Sequence, residues 1–170
     1  MDELKNRKTP RLQAFDYNSI GVYFVTICTR DRRCILSRVV GTGVLDCPQI
    51  ELTRYGEIAD KYIKQLNDFY EHISIDSYVI MPNHIHILLY IKNEGQSRTP
   101  VPTKLDRANS TFSQFVSTYK RFCNKEYGEN IWQARAYDHI IRNKEDYEKH
   151  LKYIYENPMR WYYDELYSEE

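Results

Sequence analysis

Residues 78–91, YVIMPNHIHILLYI, decide the fold of this chain. Two apolar, β-rich runs, 74–81 and 84–91, are separated by Pro82-Asn83, a tight-turn pair, and together they read as a β-hairpin. A strand sends residues i and i+2 to the same side. Ile85, Ile87 and Leu89 are therefore expected on one face, with His84 and His86 converging on the other. A lone His-x-His fits two hydrogen-bonded histidines of a sheet as readily as a pair of metal ligands, so its meaning depends on what else the chain brings to that face.

On the amino-terminal side, GVYFVTICT (21–29) is β-branched and aromatic with alternating character, and the charged turn Arg30-Asp31-Arg32-Arg33 follows it; this reads as a central strand. The segment 41–52, interrupted by Pro48, suits an irregular edge hairpin. From the capping residue Thr53, apolar side chains at Ile58, Tyr62, Ile63, Leu66, Phe69 and Tyr70 recur at helical spacing as far as the vicinity of His72. Beyond the hairpin, 93–107 is polar, with Gly95, Pro100 and Pro102, and reads as a surface loop. Phe112, Phe115, Val116, Tyr119, Phe122 and Cys123 mark a second helix from Ser110. Residues 131–141 read as a strand, and 144–157 as a third helix stopped by Pro158. The order strand, helix, hairpin, helix, strand, helix predicts an α+β domain, with a mainly antiparallel sheet and helices packed on one face.

At 170 residues the chain fits one domain, 1–170, able to fold without covalent staples. It carries a basic amino-terminal arm (1–15) and an acidic tail (162–170). No run approaches the length of a membrane span, and MDELKNRKTPRLQAF lacks the apolar centre of a signal peptide, which predicts a cytoplasmic protein. The four cysteines show no Cys-x-x-Cys spacing and are expected reduced. Twenty-four basic residues balance twenty-four acidic ones, so net charge gives no support to nucleic-acid binding, although local basic clusters remain. Sixteen tyrosines offer stacking surfaces, but they serve cores equally well.

The last helix contributes the context that the histidines need. In KHLKYIYENP, Tyr153 and Asn157 are spaced i, i+4 and share one helical face, which sets an amide oxygen able to ligate a metal one turn from a phenol able to attack. The same residues also suit an amphipathic helix packed on a sheet and ended by Asn before Pro158. GVYFVTICTRDR, VIMPNHIHILL, FVSTYKR and IWQARAYDHIIRN leading into DYEKHLKYIYENPMRW together resemble the single-tyrosine HUH transposases, within them the REP-associated tyrosine transposases. The resemblance covers most of the chain. MPNHIH combined with YIYENP is far more specific than His-x-His alone.

The resemblance implies a ferredoxin-like sheet and a metal-dependent enzyme that cuts and rejoins single-stranded DNA near hairpins of the repetitive palindromic type, through a 5′-phosphotyrosine. It carries the nucleophile onto Tyr153 and the ligands of a divalent ion, Mg²⁺ or Mn²⁺, onto His84, His86 and Asn157. The third ligand in the wider superfamily is often Gln, Glu or His, so Asn is a departure. Candidate phosphate contacts are Lys120, Arg121, Arg135 and Arg142, with Arg7, Lys8 and Arg11 in the arm, and Trp132 or Tyr137 would stack bases. Two other readings stand beside this one: a catalytically inactive binder of hairpin or single-stranded DNA with the same fold, and a His-x-His metallohydrolase using a metal-bound water. Monomer and homodimer are both left open.

Overall fold

The computed structural model describes residues 20–41, 48–92 and 110–168. The arm with Arg7, Lys8 and Arg11, the loop 93–107 and the last two residues of the tail lie outside the described residues. Strands β1 (Gly21–Cys28), β4 (Ile73–Ile80), β5 (His84–Ile91) and β6 (Tyr137–Ile141) form one sheet in the order β4-β5-β1-β6, with every pairing antiparallel. Helix α1 (Arg54–Phe69) links β1 to β4 through an inserted ribbon, and α2 (Thr111–Tyr127) links β5 to β6. This is the βαββαβ arrangement of the ferredoxin-like fold, as the sequence predicted.

Capping sets the helix starts. Thr53 accepts from Gly56 N at 3.3 Å and Ser110 accepts from Ser113 N at 3.2 Å, each satisfying an orphan donor of the first turn. Gly128, in the left-handed region at φ 78°, closes α2 by donating to Asn124 O. The apolar stripes of these helices, Ala59, Ile63 and Leu66 in α1 and Phe112, Phe115 and Tyr119 in α2, pack on Tyr23, Val25, Ile27, Ile85, Ile87 and Leu89. Period-2 alternation thus gives one sheet face wholly to this core.

Helix α3 (Lys144–Glu156) departs from the expectation of helices on one face: it covers the opposite side, where Ile154 packs with Phe24 and Leu88. That face carries its own apolar strip, Val22, Phe24 and Leu88, which has to be removed from water. Two strand expectations are also corrected. The ribbon is β2 (Ser37–Val40) paired with β3 (Gln49–Leu52), so its first arm precedes Gly41. The strand expected over 131–141 keeps only Tyr137–Ile141. Thr26 pairs with Tyr137 and Thr29 bridges Trp132, so three steps along β1 face five along the partner, and the two surplus residues lift the chain out of the ladder.

Gly56 is the tightest point between ribbon and helix. A Cβ there would stand 2.0 Å from Leu36 O, a carbonyl already held by Thr53 N at 3.0 Å and Thr53 Oγ1 at 2.9 Å. The carbonyl cannot retreat without breaking both bonds. Gly56→Ala is therefore expected to lower stability by about 1–3 kcal/mol, despite alanine's better helix propensity. The urea midpoint of the variant checks this.

Candidate functional site

Full-length pairing of β5 with β1 sets Thr26 opposite His86 and Cys28 opposite His84. Thr26 Oγ1 lies 2.8 Å from His86 Nδ1. Asn83 Oδ1 lies 2.8 Å from His84 Nδ1, while Asn83 Nδ2 donates to Leu166 O at 2.7 Å and to Ser168 Oγ at 3.0 Å. Those two bonds orient the Asn83 amide so that its oxygen accepts from His84 Nδ1. The lone pair of His84 is then left on Nε2. The Thr26 hydroxyl can accept from His86 Nδ1, and in that tautomer His86 presents a bare Nε2 likewise.

Both imidazoles are buried, and both Nε2 atoms lack a hydrogen-bond partner. Burial pushes the His84 pKa down to about 4 against the opposing pull of the Asp164 carboxylate. Burial, reinforced by repulsion from the neighbouring imidazoles, holds His86 well below the usual range. Neutral imidazole with a bare nitrogen is the form that ligates metal.

Asn157, the residue that ends α3, is fully buried. Its Nδ2 donates to Asp164 Oδ2 at 3.1 Å, and its Oδ1 has no partner. Three buried lone-pair atoms, two nitrogens and an amide oxygen, therefore stand unsatisfied in one region, an arrangement that native interiors rarely tolerate without an ion or water. The Asp164 carboxylate belongs to the same group: one oxygen lies within 4.8 Å of ligand atoms of both histidines. A donor set of imidazoles, an amide and a carboxylate could hold a divalent first-row or alkaline-earth ion.

Tyr153 turns inward. Its ring lies 5.1 Å from that of His86 and 6.0 Å from that of Phe24, and its hydroxyl donates to Asp164 Oδ2 at 3.1 Å. Burial and the adjacent carboxylate raise the phenol pKa to about 12. The i, i+4 spacing of Tyr153 and Asn157 thus converges on a single carboxylate oxygen.

Asp164 went unrecognised in the sequence, where it reads as part of an acidic tail. After Pro158 the chain enters a 3-10 segment, Pro158–Tyr163, which buries Trp161 near the His84 ring at 6.0 Å and carries Asp164 back over the site. Trp161 was the available signal: an indole in an otherwise polar tail seeks burial. The returning tail is tied down by Asn83 and by Ser168 Oγ donating to Arg32 O at 2.8 Å.

A cavity of about 760 Å³ opens beside Tyr153, lined by Arg32, Tyr137, Lys149, His150, Lys152 and Arg160 among others. Of the expected DNA contacts, Lys120, Arg121, Arg135 and Arg142 do not line it. Lys120 donates to Gln133 O at 2.7 Å and secures the segment that leaves the ladder, whereas Arg121 lies over the Phe122 ring. Trp132 is corrected outright: at 2% exposure it fills the core against Tyr119 and Tyr127 and offers no face to a base. Tyr137, 52% exposed, keeps the stacking surface. Lys149, four residues before Tyr153 on α3, was legible by the same spacing that linked Tyr153 to Asn157.

No protein-family model matches the chain. An uncharacterized protein of Haemophilus influenzae is 27% identical over 96% of this chain and 94% of its own length. A REP-associated tyrosine transposase of Escherichia coli is 28% identical over 82% of this chain and 67% of its own. Among solved structures, a REP-associated tyrosine transposase bound to a REP hairpin superposes with a TM-score of 0.60 at 25% identity, covering 88% of this chain and 74% of that one.

The buried imidazoles make stability depend on pH. In chelator-treated buffer the unfolded chain takes up a proton on each histidine below about pH 6.5, and the folded chain refuses it until about pH 4 for His84 and until well below the usual range for His86. Their contribution is complete above pH 6.5 and drains away as the pH falls toward 4. We expect urea midpoints to drop between pH 7 and pH 5, and His86→Gln to flatten that dependence.

Proposed function

The chain is a homologue of the REP-associated tyrosine transposases, and we propose that it cleaves and rejoins single-stranded DNA beside hairpins, with Tyr153 as nucleophile and a divalent ion as cofactor. The observation that carries this reading is the convergence of the Tyr153 hydroxyl and three partnerless buried ligand atoms, His84 Nε2, His86 Nε2 and Asn157 Oδ1, around the Asp164 carboxylate. A small-molecule metallohydrolase has no use for a phenol held at that point.

His84, His86 and Asn157 would hold the ion, with Asp164 within reach. Two imidazoles and an amide bind Mn²⁺ more tightly than Mg²⁺, whereas abundance favours magnesium. When bound, the ion supplies Lewis-acid polarisation of a non-bridging phosphate oxygen. The chain's own groups perform the transfer. Tyr153 Oη attacks phosphorus, its proton passes to the Asp164 carboxylate that it already faces, the P–O3′ bond breaks, and a 5′-phosphotyrosine and a free 3′-hydroxyl result. A phenol pushed up to about 12 is a poor nucleophile as it stands, so loss of that proton during attack is what makes the step feasible. The linkage conserves the phosphodiester bond energy. A second 3′-hydroxyl can therefore reverse the reaction and join strands without a nucleotide cofactor.

Lys149, Lys152, Arg160 and Arg32 would line the path of the phosphate backbone into the cavity, with Tyr137 stacking an unpaired base. Because the charge is local, binding is expected to weaken with salt even though the chain is neutral overall.

Incubating labelled single-stranded hairpin DNA with the protein and Mn²⁺, then resolving the products on a denaturing gel, tests the reading. The wild type is expected to yield a covalent adduct. Tyr153→Phe should reduce the adduct to background, and His84→Ala or EDTA should reduce it by about 100-fold or more. An undiminished adduct with Tyr153→Phe would sink the nucleophile. Hairpin binding without any adduct from the wild type would favour the non-catalytic reading instead.

A further inference from the structure

His150 stands one turn before Tyr153 on the same helix and lines the same cavity. Its Nδ1 lies 2.8 Å from the Asp146 carbonyl oxygen and 3.2 Å from Asp146 Oδ1. A carbonyl only accepts, so Nδ1 carries the hydrogen, and the lone pair falls on Nε2, the opposite edge of the ring. Asp146 is itself fixed by Asn143 capping, by Arg142 N at 3.1 Å and by His139 Nε2 at 2.9 Å. The His150 ring is flanked by His139, stacked at 4.6 Å, and by Phe24 at 4.7 Å. This imidazole, whose side chain lines the cavity, is anchored at Nδ1 by Asp146 and held between two rings. Packing alone requires none of that orientation.

We propose that His150 is the proton carrier for the 3′-oxygen: general acid in cleavage and general base in joining, oriented by Asp146 and His139. The assignment rests on the transposase reading above and deepens it. In cleavage the Tyr153 Oη–P bond forms and the P–O3′ bond breaks, and protonated His150 gives the Nε2 proton to the departing 3′-oxygen. In joining, an incoming 3′-hydroxyl yields its proton to Nε2 as its oxygen attacks phosphorus and the bond to Tyr153 breaks. The tautomer set by Asp146 is the one ready for the joining step. The phenol side of the exchange is served by Asp164, so acid and base occupy separate elements, as in-line transfer between an entering and a leaving oxygen requires. The other cations lining the cavity serve less well: Arg32 and Arg160 do not give up protons, Lys152 is paired with Glu156 at 3.5 Å, and Lys149 is solvent-exposed, without the two-ring anchoring of His150.

The test compares two oligonucleotides cut by the full-length protein with the same metal: one with an ordinary phosphodiester, and one with sulfur replacing the bridging 3′-oxygen. A 3′-thiolate leaves without protonation, so it bypasses a general acid. His150→Ala and His150→Gln are expected to slow cleavage of the oxygen substrate about 100-fold or more and to cut the sulfur substrate within a few-fold of wild type. Tyr153→Phe should fail on both. Equal losses on both substrates would make His150 a packing residue and overturn the assignment, as would no loss on the oxygen substrate; His150→Gln, which retains an amide for Asp146, separates lost chemistry from lost folding. A wild type that cuts neither substrate would remove the transposase chemistry itself, and this role with it.

Discussion

Antiparallel pairing of β5 with β1, in register over eight residues, is the constraint on which the site depends. Register in a half-buried sheet leaves no freedom, because a one-residue slip exchanges the faces of every side chain. Here a slip would send Ile85 and Ile87 to the α3 side and push two imidazoles into the apolar layer against α1 and α2. The hydrophobic core thereby dictates where the histidines stand. Thr26 is delivered opposite His86 by the same ladder, so the hydroxyl that meets His86 Nδ1 comes with the register and needs no separate device.

Phe24 links the two halves of the candidate site. Its ring touches those of His86, His150 and Tyr153, which makes one β1 side chain a common floor for the histidine pair and the helix above it. Burying unsatisfied nitrogens costs stability, and helix α3 offsets part of that cost by covering Phe24, Leu88 and Val22. The two faces of the sheet thus differ: an apolar layer on one side, and on the other a thin apolar strip around buried polar groups.

The secondary-structure order, both capped helices and the histidine hairpin were legible because period, caps and turn residues agreed at those places. The i, i+4 pair Tyr153 and Asn157 was legible for the same reason. What escaped was set by tertiary path. Nothing local in 131–136 shows that two surplus residues must leave the ladder, so Trp132 read as strand and as surface when it is core. The return of Asp164 depends on Trp161 finding a place beside His84, a contact between segments far apart in sequence. The face taken by α3 could be inferred only from the apolar strip shared by β1 and β5, which alternation partly hides because both strands are buried on both sides. Lys152 was hidden in the ordinary charge of an amphipathic helix, whereas the spacing of Lys149 to Tyr153 was on view.

Tyr153 and Asn157 ride on the closing turns of a single helix, ended where Pro158 begins the 3-10 segment. A rigid rod moves as one body, so any tilt or retreat of α3 withdraws the Tyr153 hydroxyl and the Asn157 amide from Asp164 together. The arrangement acts as an interlock: a partly docked helix cannot present the phenol while the buried amide stays beside the two histidines. Under the proposed strand-cleaving reading, that coupling keeps an ill-assembled molecule inactive.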